Sequence, residues 1–314
     1  MSISVLRTAD AWYVRTPTGA AARIDTRAAT TGQLLAEPEA IVTAATSTGT
    51  VPVDVLALVS PVTAPCRVVA QMTNYASHVT DSGMNPDTIP LTFFRKSSSS
   101  ISGPTDDVIR PAHVRLLDYE VEIGLVIGRE LPVGTTVTED NLAEYVVGLV
   151  VTDDVSARDV QLPQTQFYEA KSYPTFTPVG PALVLPTADE LKRFPDLRLR
   201  LSVNGEVRQD ACVGTDMIYS PLRALQALTR FQRLDPGDLV LTGTPVGTAL
   251  SAPPKPVALV ASLLPPPLRW KMFFGRQAGN PDYLRDGDLI EAGVATDDGA
   301  IDLGTQRTTV RWAR

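Results

Sequence analysis

The sequence has 314 residues, of which 44% are hydrophobic, and a formal net charge of −7. This length allows one large core, with or without a small appended unit, and the negative charge argues against a nucleic-acid-binding surface. No apolar run approaches the ~20 residues that cross a bilayer, and the N-terminus lacks a signal-peptide pattern, so we expect a cytoplasmic protein without membrane or nucleic-acid partners.

Residues 1–65 are predicted to form a small N-terminal domain, separate from a larger unit over residues 66–314. Apolar runs bounded by turn residues indicate three short strands in this part. A helical stripe over residues 31–46 is interrupted by Pro38. Nothing here has catalytic character, so we expect a structural or dimer-supporting role.

A predicted strand over residues 66–72 leads into a polar segment that contains His78 and Asp81. A single histidine is more often structural than catalytic. The stretch 83–89 is rich in turn formers, so it is either a lid over bound substrate or an ordinary surface loop. Lys96, farther along, is either a contact for a substrate carboxylate or a solvated side chain.

Acidic and apolar residues alternate between Asp118 and Ile127. The odd positions of this stretch are apolar, whereas positions 118, 120 and 122 are acidic, which is the period of a half-buried strand. Side chains two apart share a face of a strand, so Glu120 and Glu122 should point the same way from Cα atoms about 6.6 Å apart. The alternative is that both glutamates belong to a solvated face.

A nearly continuous apolar run from Val146 to Val151 predicts a second strand, covered on both faces, that leads into Asp153 and Asp154. Carboxylates at the end of a buried strand are costly unless something compensates for them. Two glutamates on one face and an aspartate about thirty residues later offer the oxygen ligands that a hard divalent cation requires. The alternative is that the aspartates cap a loop.

Downstream, Lys171 supplies a cation that would offset the charge of these carboxylates. Leucines alternate with polar residues before Asn204-Gly205, which predicts a β-hairpin with a type I′ turn. A short strand over residues 239–241 leads into Thr244. From about residue 250 to 282 the composition changes to proline, alanine and leucine. We interpret this stretch as an insertion that forms a dimer contact, a wall of the pocket or an amphipathic surface loop.

Several of these segments, taken together, resemble the fumarylacetoacetate hydrolase family. They are Asn74-Tyr75-Ala76-Ser77-His78, Asp118-Tyr119-Glu120-Val121-Glu122, Asp154-Val155-Ser156-Ala157-Arg158-Asp159, Lys171-Ser172 and Thr242-Gly243-Thr244-Pro245. The segments occur in the family's order. Each one alone is a weak indication of the family, whereas all of them in the same order are a strong one. The sequence departs from the family's pattern at Asp81, where glutamate is usual.

The resemblance implies an α+β, predominantly β fold, which is the family's mixed β-roll with a small N-terminal α/β unit packed against it. It also implies a metal site formed by Glu120, Glu122 and Asp154. Mg²⁺ is the expected ion, or Mn²⁺ or Ca²⁺ in its place, because oxygen ligands alone do not select among them. The family's habit of dimerising, together with the apolar surface of the insertion, predicts a homodimer.

The resemblance further implies roles for the remaining residues. His78, oriented by Asp81, would activate water, and Lys171 completes the catalytic set. The residues assigned to substrate binding are Arg158, Gln161, Thr244 and Lys96, although Arg158 could equally be an ion-pair partner of Asp159 or Asp153. The expected substrate is a small keto acid or diketone, and the expected reaction is hydrolysis of a C–C bond in an acylpyruvate-type β-diketone. The same site would also serve an oxaloacetate-type decarboxylase or a tautomerase.

Overall fold

The structure is a computed structural model that describes residues 2–164, 166–251 and 265–313. The strands in these ranges are β1 (Ile3–Arg7), β2 (Trp12–Arg15), β3 (Ala20–Arg23), β4 (Val51–Pro52), β5 (Val68–Met72), β6 (Thr92–Lys96), β7 (Ile101–Ser102), β8 (Val108–Arg110), β9 (Leu117–Asp118), β10 (Val121–Ile127), β11 (Val146–Asp153), β12 (Ser156–Ala157), β13 (Thr177–Pro178), β14 (Leu183–Leu185), β15 (Leu197–Val203), β16 (Glu206–Cys212), β17 (Leu239–Leu241), β18 (Leu289–Thr296) and β19 (Asp302–Trp312).

The helices in the same ranges are fewer. They are α1 (Thr31–Leu35), α2 (Pro38–Thr46), α3 (Ala76–Asp81), α4 (Leu142–Tyr145), α5 (Arg158–Gln161), α6 (Ala188–Leu191), α7 (Val213–Asp216), α8 (Pro221–Leu228) and α9 (Pro266–Gln277). Single 3₁₀ turns occur at Val53–Val55, Pro86–Thr88, Ser98–Ser100 and Phe194–Asp196. Within the described residues, none of these helices has the length and apolar character needed to cross a bilayer.

Ten of the described strands form the central sheet, in the order β4-β3-β2-β1-β14-β11-β10-β17-β5-β6. The long strands β10 and β11 pair antiparallel near its middle, and β17 pairs parallel with β5. The N-terminal strands extend the same sheet because β1 pairs with β14. The predicted boundary at residue 65 therefore lies within a continuous sheet, and the division into residues 1–65 and 66–314 stays a proposal.

A second sheet, with the order β16-β15-β18-β19-β8, covers one face of the first. The larger hydrophobic core lies between the two sheets, where the odd-numbered residues of β10 meet the inward leucines of β15. On the other face, the short helices α1 and α2 pack over the apolar residues of β1, β2 and β17. Strand β10 is consequently buried along its whole length.

Local sequence signals account for several of these elements. Thr30 and Gln33 form a capping box at the start of α1, and Pro38 occupies the first turn of α2, where a missing N–H costs nothing. Asn204 and Gly205 both have positive φ between β15 and β16, as a type I′ turn requires, and this confirms the predicted hairpin. The predicted α+β, predominantly β fold is also confirmed.

Candidate functional site

Two adjacent strand ends of the central sheet, the start of β10 and the end of β11, bring the predicted carboxylates together. In the register of β10 and β11, Val121 is paired with Asp153, and the Asp154 N–H donates to the carbonyl oxygen of Glu120 at 2.8 Å. Ligand oxygens of Glu120, Glu122 and Asp154 all lie within 4.8 Å of one another, and the three residues are buried. The prediction of a half-buried strand was wrong, because both faces of β10 are covered.

Glu122 is the least compensated of the three carboxylates. It is 1% exposed, and its Oε2 accepts a hydrogen bond of 2.7 Å from the Gly243 N–H. Burial, followed by the charges of Asp154 and Glu120, raises the pKa of Glu122 well above its ordinary value. Three carboxylates at this separation in a buried site repel one another, so the arrangement favours either protonation or a bound cation.

Lys171 connects two of these carboxylates. Its Nζ lies 2.7 Å from Glu120 Oε2 and 2.7 Å from Asp154 Oδ2. Burial alone would lower the pKa of Lys171, but the charges of Asp154 and Glu120 outweigh it and raise the pKa. Lys171 therefore stays charged, in the position predicted for it.

Lys96 is buried behind the site rather than at its surface. Its Nζ forms an ion pair with Asp154 Oδ1 and donates to the Phe176 carbonyl oxygen at 2.8 Å. Burial lowers the pKa of Lys96, although Asp154 opposes that shift. Since only 2% of Lys96 is exposed, its place favours charge compensation of Asp154 over the predicted contact with substrate.

Arg158 holds Glu120 from the opposite side to Lys171. The guanidinium contacts Glu120 Oε1, and it donates to Asp118 Oδ2 at 2.7 Å and Gln161 Oε1 at 2.8 Å. The alternative prediction, an ion pair of Arg158 with Asp159 or Asp153, was wrong, because Arg158 pairs with Asp118 and Glu120 instead. Burial raises the pKa of Glu120, but Arg158 and Lys171 outweigh it and lower that pKa to about 2.

The charges of the site fit a divalent cation. Five buried carboxylates (Asp118, Glu120, Glu122, Asp153 and Asp154) are connected with three buried cations (Lys96, Arg158 and Lys171), so negative charge is in excess when all are ionised. One oxygen of Asp153 has no hydrogen-bond partner among the described residues, and burial raises the pKa of Asp153 to about 7. An all-oxygen donor set with surplus negative charge is the kind that Mg²⁺, Mn²⁺ and Ca²⁺ bind.

His78 lies on α3, which follows β5, at the edge of the site. The ring lines the cavity described below, while its Nδ1 is buried and lacks a hydrogen-bond partner among the described residues. Asp81, one turn farther along α3, therefore does not hold the ring through Nδ1. Burial lowers the pKa of His78, and the charge of Glu120 opposes this. The available ring nitrogen is thus Nε2, on a histidine that is neutral at neutral pH.

The segment after β17 forms another edge of the site. The Thr244 hydroxyl donates to the Val121 carbonyl oxygen at 2.9 Å and lies 2.9 Å from the donating Nε2 of Gln209. Gly243 has a φ of +85°, and a Cβ there would lie 2.8 Å from Cβ of Asn74, so the close approach requires glycine. The Thr244 hydroxyl is thus occupied within the protein.

Some contributing residues were not assigned by sequence reasoning. Asp118 is fully buried and accepts from the backbone N–H groups of Tyr119, Ala249 and Leu250 as well as from Arg158. Gln209, on β16, accepts from the Val121 N–H at 3.0 Å. The acidic alternation pointed to Asp118, but no sequence signal pointed to Gln209, whose role depends on pairing between distant strands.

A cavity of about 1120 Å³ opens over these groups. Its polar end includes His78, Glu120, Glu122, Arg158 and Lys171. The other predicted residues that line it are Gln161 and Thr244. Lys96, Asp81 and Asp154 are not among its lining residues within the described part of the chain.

The candidate lid and the predicted insertion both border the same cavity. Met84 and Ile89, from the candidate lid over residues 83–89, contribute to one side. Helix α9, from the stretch predicted as an insertion, contributes a wall through Trp270 and Phe273. Among the three roles considered for that stretch, its described residues therefore support a wall of the pocket. Residues 252–264 lie outside the described residues.

Comparison with known proteins agrees with this geometry. The sequence model of the family described as fumarylacetoacetate (FAA) hydrolase, C-terminal, matches residues 67–311. A rat protein named oxaloacetate tautomerase Fahd2a, mitochondrial, is 36% identical over 205 residues, which are 65% of this chain and 63% of the rat protein. The chain thus spans less than two thirds of that relative's length.

Two further similarities cover more of the chain. A Sphingomonas protein named 2,4-didehydro-3-deoxy-L-rhamnonate hydrolase is 34% identical over 251 residues, which are 80% of this chain and 75% of that protein. A crystal structure from Mycobacterium abscessus, described as a probable 2-hydroxyhepta-2,4-diene-1,7-dioate isomerase, superposes with a TM-score of 0.75 and 30% identity, and the match covers 100% of both chains.

Proposed function

This chain belongs to the fumarylacetoacetate hydrolase family, and we propose that it hydrolyses a C–C bond in an acylpyruvate-type β-diketone. The observation that carries the proposal is the group of three buried carboxylates within 4.8 Å of one another, two of which, Glu120 and Glu122, line a cavity that His78 also lines. Such a site combines ligands for a hard cation with a candidate base for water. The named relatives include a hydrolase, a tautomerase and an isomerase.

Glu120, Glu122 and Asp154 would hold the ion, for which Mg²⁺ is proposed, with Mn²⁺ or Ca²⁺ as alternatives. When bound, the ion would supply Lewis-acid polarisation of the two oxygens of a 1,3-dicarbonyl substrate. Lys171 and Arg158 keep Glu120 ionised and fixed, and Lys96 forms an ion pair with Asp154. Gln161 in turn accepts from Arg158, so its first effect is on the orientation of that guanidinium.

His78 is proposed as the general base. Its Nε2 would take a proton from water as the water oxygen bonds to the acyl carbonyl carbon. The C–C bond then breaks, its electron pair stays with the keto-acid fragment, and a proton from the imidazolium completes that fragment. The products are a carboxylic acid and a keto acid. We propose that Asp81 contributes indirectly, by fixing the position of α3.

Tautomerisation or decarboxylation of an oxaloacetate-type β-keto acid is the second candidate. The name of the rat relative, an oxaloacetate tautomerase, favours this reading. Both reactions use the same carboxylate site and need no activated water. We also propose a cytoplasmic location for this chain, whereas the rat relative is named as mitochondrial.

A screen of acylpyruvates and oxaloacetate with Mg²⁺ separates the candidates. We expect an acylpyruvate to give equimolar carboxylic acid and pyruvate, measured by chromatography, and we expect chelation with EDTA to stop the reaction. Release of carbon dioxide, or interconversion of keto and enol forms without bond cleavage, would contradict the hydrolase proposal and support the second candidate. Samples without enzyme control for spontaneous tautomerisation.

The proposed assembly is a homodimer. Beyond the family's habit, apolar surface is available on α9, where 45% of Leu268 is exposed. We expect sedimentation velocity to show a species of about twice the chain mass of 33.7 kDa. A single species near the chain mass at micromolar concentration would contradict the dimer.

A further inference from the structure

The cavity has an apolar end that the proposed reaction does not explain. Its apolar lining includes Met72, Phe94, Leu162, Phe167, Trp270 and Phe273. Small keto acids such as oxaloacetate have no group to place against these side chains. An apolar pocket without an apolar occupant would hold water in contact with aromatic rings, which weakens binding.

Two aromatic groups give this end a defined shape. The rings of Phe94 and Phe167 meet edge to face, with centroids 5.5 Å apart. On α9, Trp270 and Phe273 are also perpendicular, with centroids 5.9 Å apart. Aromatic rings prefer edge-to-face or offset contacts with one another, so these side chains offer both edges and faces to an aromatic ring of a substrate.

Phe94 connects the apolar end with the polar floor. Its ring centroid lies 5.6 Å from Nζ of Lys171, which contacts both Glu120 and Asp154. A substrate whose dicarbonyl group lies at those carboxylates would therefore extend its acyl arm past the Phe94 ring. The arm would continue between the wall formed by β6 and the wall formed by α9.

We propose that the acyl arm of the substrate is bulky and apolar, preferably an aromatic ring, so that the substrate class is the aryl-substituted 2,4-dioxo acids. This inference rests on the proposed C–C hydrolase function and adds the identity of the arm. The polar end of the substrate carries the one carboxylate, and the arm carries none.

Two arginines in the cavity favour a different substrate, one whose acyl arm ends in a carboxylate. Arg269 and Arg276 also line the cavity, both are exposed, and neither has an ion-pair partner among the described residues. They lie on α9 with the aromatic side chains, so an arm ending in a carboxylate would use them. The aromatic lining is more extensive than this pair, and it reaches the floor of the site, which favours the apolar arm.

The kinetic test compares benzoylpyruvate, acetylpyruvate and an acylpyruvate whose arm ends in a carboxylate. We expect kcat/KM for benzoylpyruvate to exceed that for each of the others by about tenfold, a ratio typical of a filled apolar pocket. In Phe167→Ala and Trp270→Ala, on separate elements, we expect the preference for benzoylpyruvate over acetylpyruvate to fall about tenfold. Phe231→Ala, at a side chain that is 62% exposed and does not line the cavity, should keep the preference.

A binding measurement makes the test independent of turnover. 2-Oxo-4-phenylbutanoate lacks the 4-keto group and cannot be cleaved, and we expect it to change tryptophan fluorescence at lower concentration than 2-oxobutanoate does. The Trp270→Phe protein should lose most of this change. Cleavage of acetylpyruvate as fast as benzoylpyruvate, or a preference for the carboxylated arm, would overturn the inference while leaving the hydrolase proposal intact. Absence of cleavage of every acylpyruvate would instead remove the hydrolase proposal, and equal binding of the two probes would then also overturn the aryl arm.

Discussion

The Glu122→Gln protein is expected to lose Mg²⁺ binding and turnover while it keeps its fold. Glutamine preserves the size of the side chain and an oxygen that accepts from the Gly243 N–H, but it removes one charged ligand. Changes to outer partners of metal ligands already cost about 10–100-fold in affinity or activity. For a direct ligand we expect a loss of more than about 100-fold in both.

Without metal, Glu122→Gln should not lower the stability of the protein and should raise it where Glu122 is ionised. The pKa of Glu122 is raised by burial and by Asp154 and Glu120, so ionised Glu122 destabilises the native protein. That cost is absent below the unfolded pKa of about 4.5, grows as pH rises from this value to the raised folded pKa, and stays constant above it. In EDTA at pH 8, Glu122→Gln should therefore unfold at the same temperature as the unmodified protein or higher, and this difference should shrink toward pH 4.

Isothermal titration with Mg²⁺ and thermal unfolding with and without Mg²⁺ measure these effects. Added Mg²⁺ should raise the unfolding temperature of the unmodified protein, since a ligand that binds only the native state stabilises it, and should not raise that of the variant. Glu139→Gln, at an exposed position, is the matched control and should behave like the unmodified protein. Tight Mg²⁺ binding with full activity in Glu122→Gln would remove the proposed metal site.

The grouping of Glu120, Glu122 and Asp154 was largely predictable from local patterns. Alternation around Glu120 and Glu122 indicates that they share a face, and the apolar run before Asp154 indicates a buried strand end. Antiparallel pairing of β10 with β11 then places all three carboxylates together. Period and composition are properties of neighbouring residues, so the sequence carries them directly.

The surroundings of the site were not predictable in the same way. Alternation identifies one apolar face of β10, but whether the other face meets water depends on elements far along the chain. The paired residues Lys96 and Asp154 are 58 positions apart, and Arg158 and Asp118 are 40 apart. Contacts at such separations are set by sheet order, which no local pattern records. For this reason Lys96 was assigned to substrate although its charge is used by Asp154.

Helix α9 shows another limit of sequence reasoning. The stretch from about residue 250 to 282 was interpreted as an insertion because its composition changes to proline, alanine and leucine, and no helix was predicted in it. In the structure, prolines occupy the first turn of α9, where the missing N–H would have no helical partner anyway. The following residues continue the helix to Gln277 and supply Trp270 and Phe273 to the cavity.

The His78→Ala protein is expected to lose at least ~100-fold in turnover of an acylpyruvate with Mg²⁺ affinity unchanged, since loss of a general base costs about 10²–10⁴ in rate. Burial lowers the pKa of His78, so the neutral base persists below the ordinary imidazole value of about 6.5. As pH falls through that lowered pKa, the ring gains a proton and the rate falls. The acid limb of the pH–rate profile should therefore lie below pH ~6.5 in the unmodified protein and disappear in the variant.

His113→Ala is the matched control for that experiment. His113 is exposed, lies 2.8 Å from the Tyr173 hydroxyl through Nε2, and does not line the cavity, so its loss should leave both the rate and the acid limb unchanged. Only hydrolysis needs a proton taken from water, whereas tautomerisation and decarboxylation of a β-keto acid proceed without an activated water. A near-normal rate in His78→Ala, with carbon dioxide as the main product from oxaloacetate, would therefore exclude the hydrolase mechanism and support the decarboxylase.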